Sequence, residues 1–209
     1  MTRRSCAARS VVWLKTRLAA ELGRRQLHVQ FSPDIRAVDR DHRGMAKFEV
    51  RAIDPGVVRE LLQCDDAGNP PRLLTDEEGG SPLRCCLRPV EPGERVALVS
   101  YAPLRRWARE TGAEPGPYDE VGPVFVHPGP CPGPEGGYPK WLSGGRRVFR
   151  AYSAAGTIVR GELFDAGSDL DPTAAEAALA DLLDDPAVAV VHARALEFGC
   201  FTFEVRRAS

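Results

Sequence analysis

Two strand-like runs close the chain, Val188 to Arg194 and Phe198 to Arg206, with three residues between them. A parallel return needs a crossover of a dozen or more residues, so strands joined this tightly can pair only as an antiparallel hairpin. The same economy recurs upstream. Arg147 to Ser153 and Thr157 to Phe164 meet across Ala154-Ala155-Gly156, where Gly156 supplies the left-handed backbone a tight turn needs. Pro92-Gly93-Glu94 turns the chain into Arg95 to Tyr101, whose imperfect alternation predicts a central strand. Leu83 to Leu87 and Pro123 to His127 read as further strands.

Helices are few. Asp54 caps one over 55–63, with Pro55 at its first position and Val57, Val58, Leu61 and Leu62 as its apolar face. Leu104 to Thr111 makes a short second helix with Trp107 as its core contact. The strongest begins at Asp171 or Thr173, runs through Ala174 to Leu183 and stops at Asp184-Asp185-Pro186. Turn-linked strands with few crossover helices predict an α+β fold: a mostly antiparallel sheet with a few flanking helices. Residues 64–81 and 128–139 read as loops, the second with nine Gly or Pro among its twelve residues.

The chain of 209 residues suits one domain, and its alternating strand Lys47 to Ile53 follows Met45 at once. Residues 45–209 are therefore read as a single domain and 1–44 as a basic, poorly ordered extension, with translation able to start at Met45. Two other readings compete for that extension. Val11, Leu14, Leu18 and Leu22 at helical spacing make a basic amphipathic helix near 9–22, which would suit an anionic membrane or nucleic acid. An Arg-rich, acid-poor segment also fits an organelle-type presequence.

Charge is split along the chain: residues 1–44 carry ten Lys/Arg against four acids, and 45–209 carry eighteen against twenty-five. An acidic body argues against nucleic acid as partner of the main domain. No apolar run reaches the roughly 18 residues a membrane span requires. The six cysteines include the adjacent pair Cys85-Cys86, whose side chains would diverge in a strand, so free thiols in a reducing cytoplasm are expected.

Chemistry-bearing residues gather in two places. From Pro82 to Cys131 the chain holds Arg84, Cys85, Cys86, Glu94, Tyr101, Tyr118, His127 and Cys131; near the C-terminus come His192, Arg194, Cys200 and Glu204. If the last hairpin centres on Leu196, His192 faces Cys200, and a thiol beside an imidazole is the minimal nucleophile with its base. The competing reading makes Cys200 a small packing residue and His192 a hydrogen-bonded core histidine. Arg150 lies mid-strand and needs a carboxylate, with Glu162 across the hairpin as the internal partner and an anionic ligand as the functional one. Glu94 reads as a solvated turn acid, and His127 ends a strand at a loop, where site residues often sit. A metal would draw on Cys85 or Cys86, Cys131, Cys200, His127 and His192. With neither a Cys-x-x-Cys nor a His-x-x-x-His pair, zinc is not expected, and neither is a cofactor.

The set Arg84-Cys85-Cys86-Leu87, Gly93-Glu94, Tyr118, Gly122 to His127, Cys131, Arg150-Ala151-Tyr152, Gly161, His192 and Gly199-Cys200-Phe201 resembles the bacterial DUF1203 family, a domain of unknown function, over roughly 46–207. The resemblance implies no activity, cofactor or catalytic residue. The residues themselves point to a small-molecule enzyme or ligand-binding protein taking a polar or anionic molecule, with His192 and Cys200 catalytic and Arg84, Cys86, His127 and Arg150 binding the ligand. The alternative is a non-catalytic interaction module whose Cys and His are packing residues.

Overall fold

Alternating side chains build the larger of two sheets. In the computed structural model, which describes residues 48–167 and 171–208, five antiparallel strands run in the order β1 (Phe48–Arg51), β8 (Phe201–Arg207), β7 (Val190–Ala195), β5 (Arg146–Tyr152) and β6 (Ile158–Asp165). One face is apolar. Val50, Phe149, Val191, Phe203 and Val205 meet Leu179, Leu182 and Leu183 of helix α3 (Thr173–Asp184) there, all buried. Registers Arg150↔His192, His192↔Glu204 and Arg51↔Glu204 place those ionisable residues together on the opposite face.

A second sheet of three antiparallel strands, β2 (Arg72–Asp76), β3 (Glu94–Tyr101) and β4 (Gly122–Val126), has β3 at its centre, as the imperfect alternation of that strand predicts. It shares a core with helix α1 (Pro55–Leu61), where Val58 and Leu61 meet Leu83, Val96, Val124 and Phe201. Asp54 caps α1 by accepting from the Gly56 and Val57 amides at 2.6 and 3.4 Å. Helix α2 (Pro103–Thr111) lays Leu104 and Trp107 on Tyr152 and Val190 of the large sheet. The fold is α+β and mostly antiparallel. No helix of the described residues is long and apolar enough to cross a membrane. The basic helix expected near 9–22 and the start of the first strand lie outside the described residues.

Three expectations are corrected. The loop expected over 64–81 contains β2, an edge strand whose exposed Arg72 and Leu73 hide the alternation that marks half-buried strands. Leu83 to Leu87 is a turn, not a strand: the Leu87 amide bonds back to Leu83 O at 2.9 Å, and Leu87 takes φ 60°. The last hairpin turns through a wide loop, with the Gly199 amide on Ala195 O and Gly199 at φ 65°. Its register is therefore His192↔Glu204, and an irregularity between Ala193 and Arg194 breaks the strict alternation. Cys200 instead lies across from Ala195, whose amide bonds its carbonyl at 3.0 Å.

Leu179 is fully buried while Leu163 is 55% exposed. Leu179→Ala should cost about 2–5 kcal/mol of unfolding free energy, and Leu163→Ala should stay within about 0.5 kcal/mol. Urea titration of both variants checks the assignment of the core face.

Candidate functional site

The expected site residues separate into three neighbourhoods. The first is built by the turn after Leu83. A strand would send the Cys85 and Cys86 side chains to opposite faces; a tight turn rotates successive side chains by far less, and both thiols reach one imidazole. The His127 Nδ1 lies 3.2 Å from Cys85 Sγ and 3.9 Å from Cys86 Sγ, and the His127 amide donates to Cys85 Sγ at 3.3 Å. Cys131, on the Gly/Pro-rich loop after β4, completes a group whose ligand atoms all lie within 4.8 Å of one another. Among the described residues Leu87 is the one non-glycine at positive φ, a conformation that costs on the order of 1–3 kcal/mol and tends to persist at functional sites. Trp141 Nε1 holds that turn by donating to Leu87 O at 2.5 Å.

Glu94 is not a free turn acid. Arg88 grips it with both terminal nitrogens, at 2.9 and 2.6 Å, and its Oε1 lies 3.0 Å from His127 Nε2. The Arg88 bond holds the Glu94 carboxyl down at about 2. Arg88 Nη2 also lies 2.9 Å from His127 Nε2. A proton on Nε2 bonds Glu94 and leaves the Nδ1 lone pair facing the sulfurs; a proton on Nδ1 faces Cys85 and lets Nε2 accept from Arg88. The proximity of the two thiols pushes that of Cys85 above its ordinary value, with burial adding to the rise, and draws that of Cys86 below it. Burial raises Cys131.

The second neighbourhood is the ionisable face of the large sheet. Arg150 Nη1 bonds Glu120 Oε1 and Arg194 Nη2 bonds Glu120 Oε2, each at 2.6 Å. Glu162, the internal partner expected for Arg150, is opposite Phe149 and so on the other face. The guanidinium of Arg150 is held above its usual value, burial notwithstanding, by Tyr152 and Glu120. Arg194 also donates to Gly199 O at 2.9 Å, and its buried Nε has no protein partner. A cavity of about 280 Å³ opens beside it, lined among others by Glu120, Arg194, Tyr101, Phe198 and Cys200.

His192 belongs to the same face but is fully buried, between the rings of Tyr152 and Phe201, with Nε2 3.3 Å from Glu204 Oε2. It faces Glu204 rather than Cys200, so the expected thiol–imidazole pair is not formed there. The pair that the fold does bring together is Cys85 with His127. The third neighbourhood holds Arg84 and Cys200, which line an apolar groove of about 640 Å³ with Leu98, Phe125, Trp141 and Phe198. Arg84 is buried, bonded to Phe201 O and Pro82 O, and burial lowers it to about 10.

Cys85, Cys86, Cys131 and His127 are candidate ligands in the sequence but lack a familiar ligand spacing. The available signal was a vicinal thiol pair and a His and Cys four residues apart at a strand end. Arg194 and Glu120 were missed as a pair because only the sheet register brings them to Arg150.

Burial pushes His192 below its ordinary 6.5, outweighing the Glu204 bond. The unfolded chain takes up a proton near that value that the folded chain refuses, so this stability is full above pH 6.5 and is lost as pH falls from there. Glu204, held below 4.5 by His192 and Arg206 against burial, acts in the same direction at lower pH. The urea midpoint should therefore drop between about pH 7.5 and about pH 5.5, and drop less in His192→Gln; equal slopes would contradict the assignment.

The profile of the family described as a protein of unknown function, DUF1203, matches residues 80–207. The chain belongs to that family. Neither a curated protein nor a solved structure matches it.

Proposed function

We propose that this DUF1203 protein binds a small anionic molecule, a carboxylate or phosphate, between Arg150 and Arg194. One observation carries the reading: two guanidiniums on adjacent strands already hold a carboxylate, one on each oxygen of Glu120 at 2.6 Å. That carboxylate comes from the loop before β4, and its side chain is 45% exposed, whereas that of Arg194 is 9% exposed. The cations are fixed by the sheet and the anion is held on a tether. A free anion entering the 280 Å³ cavity meets Glu120 and Arg194, and reaches Arg150, which lies outside the cavity lining, by displacing Glu120. The unpartnered Nε of Arg194 offers a further donor.

The reading takes residues 45–209 as the functional unit, in a reducing bacterial cytoplasm where the thiols of Cys85, Cys86, Cys131 and Cys200 stay reduced. It assigns no reaction. The rival, a non-catalytic interaction module, draws support from the apolar groove and from Phe198, 84% exposed at its rim.

Calorimetry with inorganic phosphate at fixed ionic strength separates the two. Glu120→Gln removes the tethered competitor and should tighten binding by about tenfold, near 1.4 kcal/mol. Arg194→Ala should abolish it. Unchanged affinity in Glu120→Gln, or undiminished binding in Arg194→Ala, would leave the arginines as structural ion pairs and favour the interaction module.

A further inference from the structure

We propose that Cys85, Cys86, Cys131 and His127 hold one zinc ion in a closed tetrahedral centre. Zn–S bonds of about 2.3 Å and Zn–N bonds of about 2.0 Å at tetrahedral angles set ligand atoms about 3.5–3.8 Å apart. The imidazole Nδ1 is 3.2 and 3.9 Å from two of the sulfurs, and the whole set spans no more than 4.8 Å. Side-chain adjustments of under about 1 Å bring four soft, nitrogen-or-sulfur donors onto one ion.

The surroundings match what a bound zinc needs. The His127 backbone amide donates to Cys85 Sγ at 3.3 Å, and such a donor favours the thiolate. The far nitrogen of the imidazole faces Glu94 at 3.0 Å, the carboxylate–histidine pairing that fixes a ligating ring. Glu94 is in turn pinned by Arg88 and by the Glu91 amide at 2.9 Å. Metal binding selects the tautomer with the proton on Nε2. In metal-free protein the proton can sit on Nδ1, with Nε2 accepting from Arg88. Glu94 is therefore a positioning residue for His127.

Four protein ligands leave no open position, so the ion acts in structure rather than in catalysis. It ties the strained turn at Leu87, the end of β4 and the Gly/Pro-rich loop at one point. The centre is distinct from the arginine pair, so either assignment can fail while the other stands.

The test uses the full chain, purified under reducing conditions and titrated with Zn²⁺ against a colorimetric chelator, then with Co²⁺. One zinc per chain is expected, with Co²⁺ giving thiolate charge-transfer absorption and the visible bands of a tetrahedral ion. A Cys6→Ser, Cys64→Ser, Cys200→Ser variant should bind as well as the parent. Glu94→Gln, whose side chain lies partly at the surface, should fold and bind about 10–100-fold more weakly; Cys131→Ser should bind more weakly still. Binding well below one ion per chain, a Co²⁺ spectrum without sulfur, or undiminished affinity in Cys131→Ser or Glu94→Gln would overturn the proposal.

Discussion

The large sheet must bury one face that is apolar and cover another that carries Arg150, His192, Arg194, Glu204 and Arg206. Burying charge without partners is prohibitive, so whatever is laid over that second face has to bring counter-charges with it. Helix α2 brings Glu110 to Arg206 at 2.8 Å. The loop before β4 brings Glu120 to both Arg150 and Arg194. Phe201 breaks the polar surface and enters the core of the smaller sheet. Packing of the second layer is thus set by electrostatic matching as much as by apolar area.

His192 shows how that constraint decides chemistry. Burial disfavours its charged form, and its position between Tyr152, Phe201 and Glu204 makes it part of the seam rather than a group exposed to solvent. The groups with unspent capacity lie elsewhere: a carboxylate site occupied by the chain's own loop, and three thiols gathered on a histidine whose other nitrogen is already oriented. The first is where a ligand would be exchanged. The second would make the neighbouring loops rigid.

Local rules carried the architecture. Period-two alternation marked β1, Gly156 marked the hairpin of β5 and β6, Asp54 and Pro55 marked the start of α1, and Asp184-Asp185-Pro186 marked the end of α3. Two of the misses share a cause, backbone geometry that composition does not encode. Leu87 at φ 60° converts an expected strand into a turn, and so converts two divergent cysteines into neighbours. Gly199 at φ 65° and the irregularity at Ala193 shift the last hairpin so that His192 meets Glu204. The residue facing His192 thus moves four positions along the chain, from 200 to 204, and the irregularity sets Phe201 rather than Cys200 against the imidazole. Glu120 is separated from Arg150 by 30 residues and could be matched to it only after the sheet was assembled.

A crystal structure of the protein grown with a small dicarboxylate would test the central assignment most directly. The account predicts the ligand carboxylate bridging Arg150 and Arg194, with the Glu120 side chain swung into solvent and both guanidiniums unmoved. Glu120 still bridging the arginines, with the dicarboxylate bound elsewhere or not at all, would contradict it.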